Sequence, residues 1–385
     1  MFNPVVNPFS KYADKTEKKV DRLLNGTAIK SGIEIRQKLL KLMQENLVVV
    51  NLWLERRFKG YRYLKKSKRK LFYRNTEQIV AEFNNFRKTF RCDEKALLAE
   101  LSTHGFTAQT GDRKSRIKYI YEIMNFLKPG KYYQYLEGAS FGKLLADITK
   151  EKMIGDCNQI TTFYMFLYSL NYPIADLKIK LLPGHVCLHY EGIDIEATAG
   201  IFKQYDKYDK LLPAVEIITT NLLDTCDFRD KTLQIDARSY IKAAELAYRI
   251  SESNETVNNN LQVAYRNLAV ESAKKYDFDT AKFFASKLDD QEIMRNIMEQ
   301  EGWYYYKNNN FDQALKIFQS IPDPKMVKAC YGEKYNEIQR KVADINTVEK
   351  HKAHMADYRK MIELAGKMKD YDLQAKLKKF VDSLK

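Results

Sequence analysis

One short stretch, residues 177–197, constrains the fold of this chain more than any other, because it alone breaks a pattern that is otherwise helical. It holds three strand-like runs, Leu177 to Leu182, His185 to Tyr190 and Ile193 to Ala197. Pro183-Gly184 separates the first two and Glu191-Gly192 the last two, and both pairs are turn signals. Strands joined this tightly pair as antiparallel neighbours, so a small antiparallel sheet is expected here. A helical stretch from Asn158 to Leu170 leads into it, and the region from about Tyr132 to Asp224 is the only mixed one.

The rest reads as helix. Apolar side chains recur near a 3.6-residue period from Ile33 to Leu54, and further helices are predicted around Glu77 to Phe90, Glu94 to Thr103 and Ser115 to Leu127. After Ser239 the pattern is helical again. There, Phe278-Asp279-Thr280-Ala281 and Phe311-Asp312-Gln313-Ala314 repeat 33 residues apart, and Gly302, Tyr305, Ala314 and Phe318 alternate small and aromatic residues where stacked helices need them. This spacing resembles tetratricopeptide repeats. The expected class is α+β, predominantly helical. Three parts are expected: a basic helical region over 1–130, a central α/β domain over 131–235, and helical α-α repeats over 240–385.

Charge is unevenly distributed. Residues 1–75 carry 19 Lys and Arg against 6 Asp and Glu, nearly all of the net charge of +15. Within them, residues 56–74 interleave basic side chains with Phe58, Tyr61, Tyr63, Phe72 and Tyr73, a pattern suited to an anionic partner such as nucleic acid or a membrane surface. No apolar run approaches the roughly 20 residues of a spanning helix, so no transmembrane segment is expected. The start lacks the layout of a secretory signal, and the five cysteines, Cys92, Cys157, Cys187, Cys226 and Cys330, are odd in number and scattered. The expectation is a cytoplasmic protein with reduced thiols.

Two segments carry the chemistry. Gly155-Asp156-Cys157-Asn158-Gln159 places a thiol where a helix begins. A thiol attacks as its thiolate, and the positive end of a helix dipole favours that form. On its own this segment fits a small buried side chain equally well. The hairpin adds the rest. With Glu191-Gly192 as a two-residue turn, His189 faces Asp194 and Cys187 faces Glu196, with Glu196 diagonal to His185. Period-two alternation then gathers His185, Cys187, His189, Asp194 and Glu196 on one face and leaves Val186, Leu188, Tyr190, Ile193 and Ile195 on the other. A thiol, an imidazole and a carboxylate are the minimum set for thiol-based acyl transfer.

Gly155-x-Cys157, His185 after Pro183-Gly184, and Glu196-Ala197-Thr198 together resemble the transglutaminase-like superfamily of papain-like cysteine hydrolases and transferases. The resemblance covers about residues 135–205. It implies Cys157 as nucleophile, His185 as general base and acid, and Glu196 as the orienting residue. Glu196 stands where the family usually has Asp. Asp194, His189 and Cys187 are alternative members. A shared metal fits poorly, since His185 and His189 lie about 13 Å apart along a strand, and no cofactor motif is present. The expected function is hydrolysis or transfer at a peptide, amide or related acyl bond. The alternative is a catalytically lapsed scaffold of the same fold. In either case the repeats are expected to receive a protein or peptide partner.

Overall fold

Leu47 to Leu54, the longest apolar run near the N-terminus, forms the second half of a helix in which every residue is buried. The structure is a computed structural model and describes residues 2–4, 7, 9–25, 31–106, 110–130, 140–146, 154–205, 210–224, 237–251, 255–288 and 290–384. Helices predominate, with one small antiparallel sheet, which places the chain in the predominantly helical α+β class. It divides into two compact units, residues 1–261 and 262–385.

The first unit opens with α1 (Lys15–Asn25), α2 (Gly32–Leu54), α3 (Lys66–Thr89), α4 (Glu94–Thr103), α5 (Gly111–Phe126), the single turn α6 (Phe141–Leu144) and α7 (Cys157–Ser169). Five strands follow, β1 (Lys178–Leu182), β2 (His185–Tyr190), β3 (Ile193–Glu196), β4 (Ile201–Lys203) and β5 (Lys210–Pro213), then α8 (Glu216–Leu223) and α9 (Ala237–Ile250). Helix α2 starts where the Ser31 hydroxyl accepts from the Glu34 amide. Its second half shows no apolar stripe in sequence because it has no solvent face to mark. Between the halves Asn46 leaves helical geometry (φ −168°, ψ 96°), and its side chain accepts from the Val49 amide, capping the buried segment.

Part of the basic stretch 56–74 points inward. Arg69 is 2% exposed and donates to both carboxylate oxygens of Glu17, itself fully buried, as well as to the Leu64 and Lys11 carbonyls. Lys59 is buried on the Asn221 carbonyl at 3.0 Å. Tyr61, Phe72 and Tyr73 belong to the core. Helix α3 begins at Lys66, well before the predicted Glu77, because its basic first half is anchored by these inward residues.

The sheet has the order β4-β3-β2-β1-β5, antiparallel throughout. The β2–β3 turn has positive φ at both Glu191 (43°) and Gly192 (92°), the type I′ geometry that matches strand twist. It sets the register expected from sequence, His189 opposite Asp194. The apolar face, with Val186, Leu188, Tyr190, Ile193 and Ile195, is buried in the core together with α7, where Gln159 to Tyr168 are all buried. One core cluster runs from Ala13 to Val257. The basic helices and the sheet therefore share an interior. The expected boundary at 130/131 adjoins residues 131–139, which lie outside the described residues.

Helix α10 (Glu255–Lys274) spans the sequence division and is followed by α11 (Phe278–Ala285), α12 (Gln291–Lys307), α13 (Phe311–Ser320), α14 (Pro324–Val342), α15 (Val348–Ala353), α16 (Met355–Lys367) and α17 (Tyr371–Ser383). Gly302 on α12 meets Phe318 on α13 so closely that a Cβ would sit 2.7 Å from the ring. Ala314 and Phe318 are fully buried beneath that contact.

Candidate active site

Asp156 makes Cys157 the first residue of α7. Its carboxylate accepts from the amides of Asn158 (2.8 Å) and Gln159 (3.3 Å), an N-cap that ends the preceding chain and starts the helix. The cap takes the second and third amides of the helix and not that of Cys157. The thiol is half-buried, at the edge of the core.

β2 brings His185 to that sulfur. Pro183-Gly184 turns the chain between β1 and β2, with Gly184 at φ 69°, so His185 opens the strand beside the helix start. The imidazole interacts with the Cys157 side chain and is hydrogen-bonded, through Nε2, to Glu196 Oε2 at 2.7 Å. Contact with Cys157, and then with Glu196, pushes the His185 pKa up to about 10, against the opposing effect of burial. The ring therefore carries its proton at neutral pH.

Glu196 is 5% exposed and accepts four hydrogen bonds. Oε2 receives His185 Nε2 and the Tyr205 hydroxyl, each at 2.7 Å, and Oε1 receives the Thr198 hydroxyl at 2.6 Å and the Thr198 amide at 3.3 Å. Burial alone would raise its pKa, but the hydrogen bonds from His185, Thr198 and Tyr205 outweigh it and hold the group down at about 2. It is a carboxylate at neutral pH and reaches His185 on the diagonal.

The other polar residues of this face form a separate cluster. His189 Nδ1 meets Asp194 Oδ1 at 2.6 Å, and the Gly192 amide donates to His189 Nε2 at 3.0 Å. Both ring nitrogens are thus engaged. Asp194 Oδ2 accepts from Lys180 Nζ at 2.8 Å and from the Tyr205 amide at 2.9 Å. These interactions hold the Asp194 pKa below the ordinary range although burial works the other way. Cys187 is fully buried between the two clusters in sequence, opposite Lys180 in the β1–β2 register. The structure therefore joins Cys157, His185 and Glu196, and sets His189 and Asp194 apart from them. Among the described residues no group of three His, Cys, Asp or Glu side chains is placed to hold a metal ion.

Sequence reasoning missed Lys180, Tyr205 and Asp224. Lys180 shares the polar face through the alternation of β1, and Tyr205 continues that of β4 past Ile201 and Lys203, so both had a period-two signal. Asp224, 8% exposed, faces the helix cap, and its Oδ2 accepts from Asn158 Nδ2 at 3.3 Å. Burial, and then the charge of Asp224, raises the Asp156 pKa to about 8.

The raised Asp156 carboxyl makes stability depend on pH. A carboxyl whose folded pKa is raised stabilises the fold below its ordinary range, and the stability is lost as pH rises through the raised value. Asp224→Asn removes the like charge, so its stability relative to the wild type should improve by about 1 kcal/mol between pH 6 and pH 9. Urea denaturation midpoints at the two pH values test this; an unchanged difference would rule out the effect of Asp224 on Asp156.

Comparison with protein families, with curated proteins and with solved structures finds no match to the chain. The reading of the site rests on its own geometry.

Proposed function

We propose that the chain is a cysteine-dependent hydrolase or acyltransferase of the transglutaminase-like type, acting on a peptide, amide or related acyl bond. The observation that carries this is the ordered contact from Cys157 to His185 to a buried, four-fold hydrogen-bonded Glu196. In the first half-reaction the Cys157 sulfur attacks the acyl carbon, its proton residing on His185. The carbonyl oxygen gains the electron pair and is received by the Cys157 amide at the helix N-terminus, where the dipole is positive. The intermediate collapses as the C–N or C–O bond breaks, His185 gives its proton to the leaving group, and a thioester remains on Cys157. Water or an amine then attacks the thioester, His185 takes the proton of the attacking group, and the C–S bond breaks to expel the Cys157 thiolate, which restores the starting pair. Glu196 holds the ring in one tautomer and stabilises the imidazolium in both halves.

The order of the pieces supports the family resemblance: Gly-x-Cys at a helix start, His opening a strand, and a carboxylate on the next strand. The second unit, with its repeated Phe-Asp-x-Ala segments and its tight Gly302–Phe318 contact, fits a tetratricopeptide-like stack that presents a protein or peptide partner. An anionic partner would meet Arg62, Lys65, Lys68, Lys70 and Arg74, which are exposed, and not the aromatics of that stretch, of which Tyr61, Phe72 and Tyr73 are buried. No helix among the described residues is long and apolar enough to cross a membrane.

The test is direct. Mixing with p-nitrophenyl acetate should release a stoichiometric burst of nitrophenolate and leave an acetyl group on Cys157, located by peptide mapping. Cys157→Ala should give no burst. Acetylation spread over other side chains, or none at all, would defeat the proposal.

A further inference from the structure

We infer that Tyr205 is a positioning residue of this site, fixing the Glu196 carboxylate that in turn fixes His185, and that the buried Lys180–Asp194–His189 cluster sets Tyr205 in place. The inference rests on the reading of Cys157, His185 and Glu196 above. Its first support is which oxygen Tyr205 meets. The hydroxyl donates to Glu196 Oε2, the same atom that His185 Nε2 contacts, while Thr198 takes Oε1 twice. A carboxylate has about four lone-pair sites, and here all are filled. Rotation of the group about its last bond would disturb all four contacts. Without the tyrosine hydroxyl, Oε2 would be held by the imidazole alone.

The second support is how Tyr205 is held. It lies beyond Lys203, where β4 ends, so the strand ladder does not fix it. Instead its amide donates to Asp194 Oδ2 at 2.9 Å and its carbonyl accepts from Lys180 Nζ at 3.1 Å. Those two side chains form an ion pair at 2.8 Å and are 2% and 8% exposed, and His189 secures the other oxygen of Asp194. Both polar groups of the Tyr205 backbone are thus gripped by one buried pair. A second histidine–carboxylate pair about 13 Å along the same strand face, at roughly 3.3 Å per residue, would otherwise look like a rival site. With Gly192 donating to its Nε2, His189 has no nitrogen left to serve as a base.

A double-mutant cycle separates positioning from mere stability. Cys157 alkylation by iodoacetamide is measured at pH 7 in the full chain, in Tyr205→Phe, in Glu196→Gln and in the double variant. Tyr205→Phe should slow alkylation about five- to tenfold in the wild-type background and have no further effect in the Glu196→Gln background. The downfield proton resonance of His185 Nε2–H should also broaden in Tyr205→Phe. Lys180→Met, which keeps the hydroxyl but releases the backbone, should reproduce the slowing without adding to it. Equal slowing in both backgrounds, or none in either, would overturn the assignment of Tyr205. If the wild type is itself slow and His185→Gln changes nothing, the site reading falls first and this inference with it.

Discussion

Replacing His185 by glutamine is expected to slow alkylation of Cys157 by iodoacetamide about a hundredfold at pH 7, the scale on which a positioned acid–base group contributes. The labelling of Cys92, ahead of α4, and of Cys330, on α14, should not change. The effect follows from the hydrogen bonds that raise His185 to about 10, with Cys157 the larger influence and Glu196 the next. At neutral pH the imidazolium stands against the sulfur and favours the negative charge that alkylation requires. Glutamine keeps a polar group of similar reach but brings no charge. In the wild type, fast alkylation should persist across neutral pH and change character only as the imidazolium loses its proton near pH 10. The same shifts link the site to stability. His185, raised from an ordinary value of 6.5, contributes stability that is fully present below about 6.5 and lost as pH rises toward 10. Glu196, lowered from 4.5 to about 2, contributes stability present above about 4.5 and lost as pH falls toward 2. A pH series of denaturation midpoints for the wild type and His185→Gln checks both signs.

The largest effect on stability is expected at Arg69. Its guanidinium and the Glu17 carboxylate form an ion pair with side chains 2% and 0% exposed, and Glu17 also accepts from the Tyr73 hydroxyl at 2.5 Å and the Ala13 amide at 2.6 Å. Arg69→Met leaves that carboxylate buried with its main counter-charge gone, which should cost about 3–5 kcal/mol. Arg74→Met, an exposed neighbour in the same basic stretch, should cost less than about 0.5 kcal/mol. Adding Glu17→Leu to Arg69→Met should recover part of the loss, because the orphaned charge disappears with it. Urea unfolding of the four proteins measures all of this; a small cost for Arg69→Met would show that the pair is not a structural bond of the first unit.

These two sites also show what can be read from a sequence of this kind. The His185–Glu196 contact was legible because strand geometry is strict: a two-residue turn at Glu191-Gly192 fixes the register, the register fixes the face, and the face brings Glu196 within reach of His185. Cys157 was legible for a different reason, since Gly155-Asp156 marks a helix start and an N-cap fixes where the first residue lies. Tyr205 escaped because β4 has only three residues, too short for alternation to stand out, and because its backbone is placed by Lys180 and Asp194 from other strands. Strand β5 escaped for the same shortness, compounded by Pro213 at its end. Asp224 lies far along the chain from Asp156, and no local pattern couples them. In the basic stretch, charge counting gives the total but not the direction: Arg69 and Lys59 turn inward, as only the positions of Glu17 and Asn221 reveal.

Competition among the cysteines tests the central claim most directly. The full chain is exposed to limiting iodoacetamide at pH 7, and labelling at Cys92, Cys157, Cys187, Cys226 and Cys330 is followed in time by peptide mass spectrometry. If Cys157, His185 and Glu196 form a working thiol site, Cys157 is labelled at least about a hundredfold faster than every other cysteine. Uniformly slow labelling of all five would contradict it.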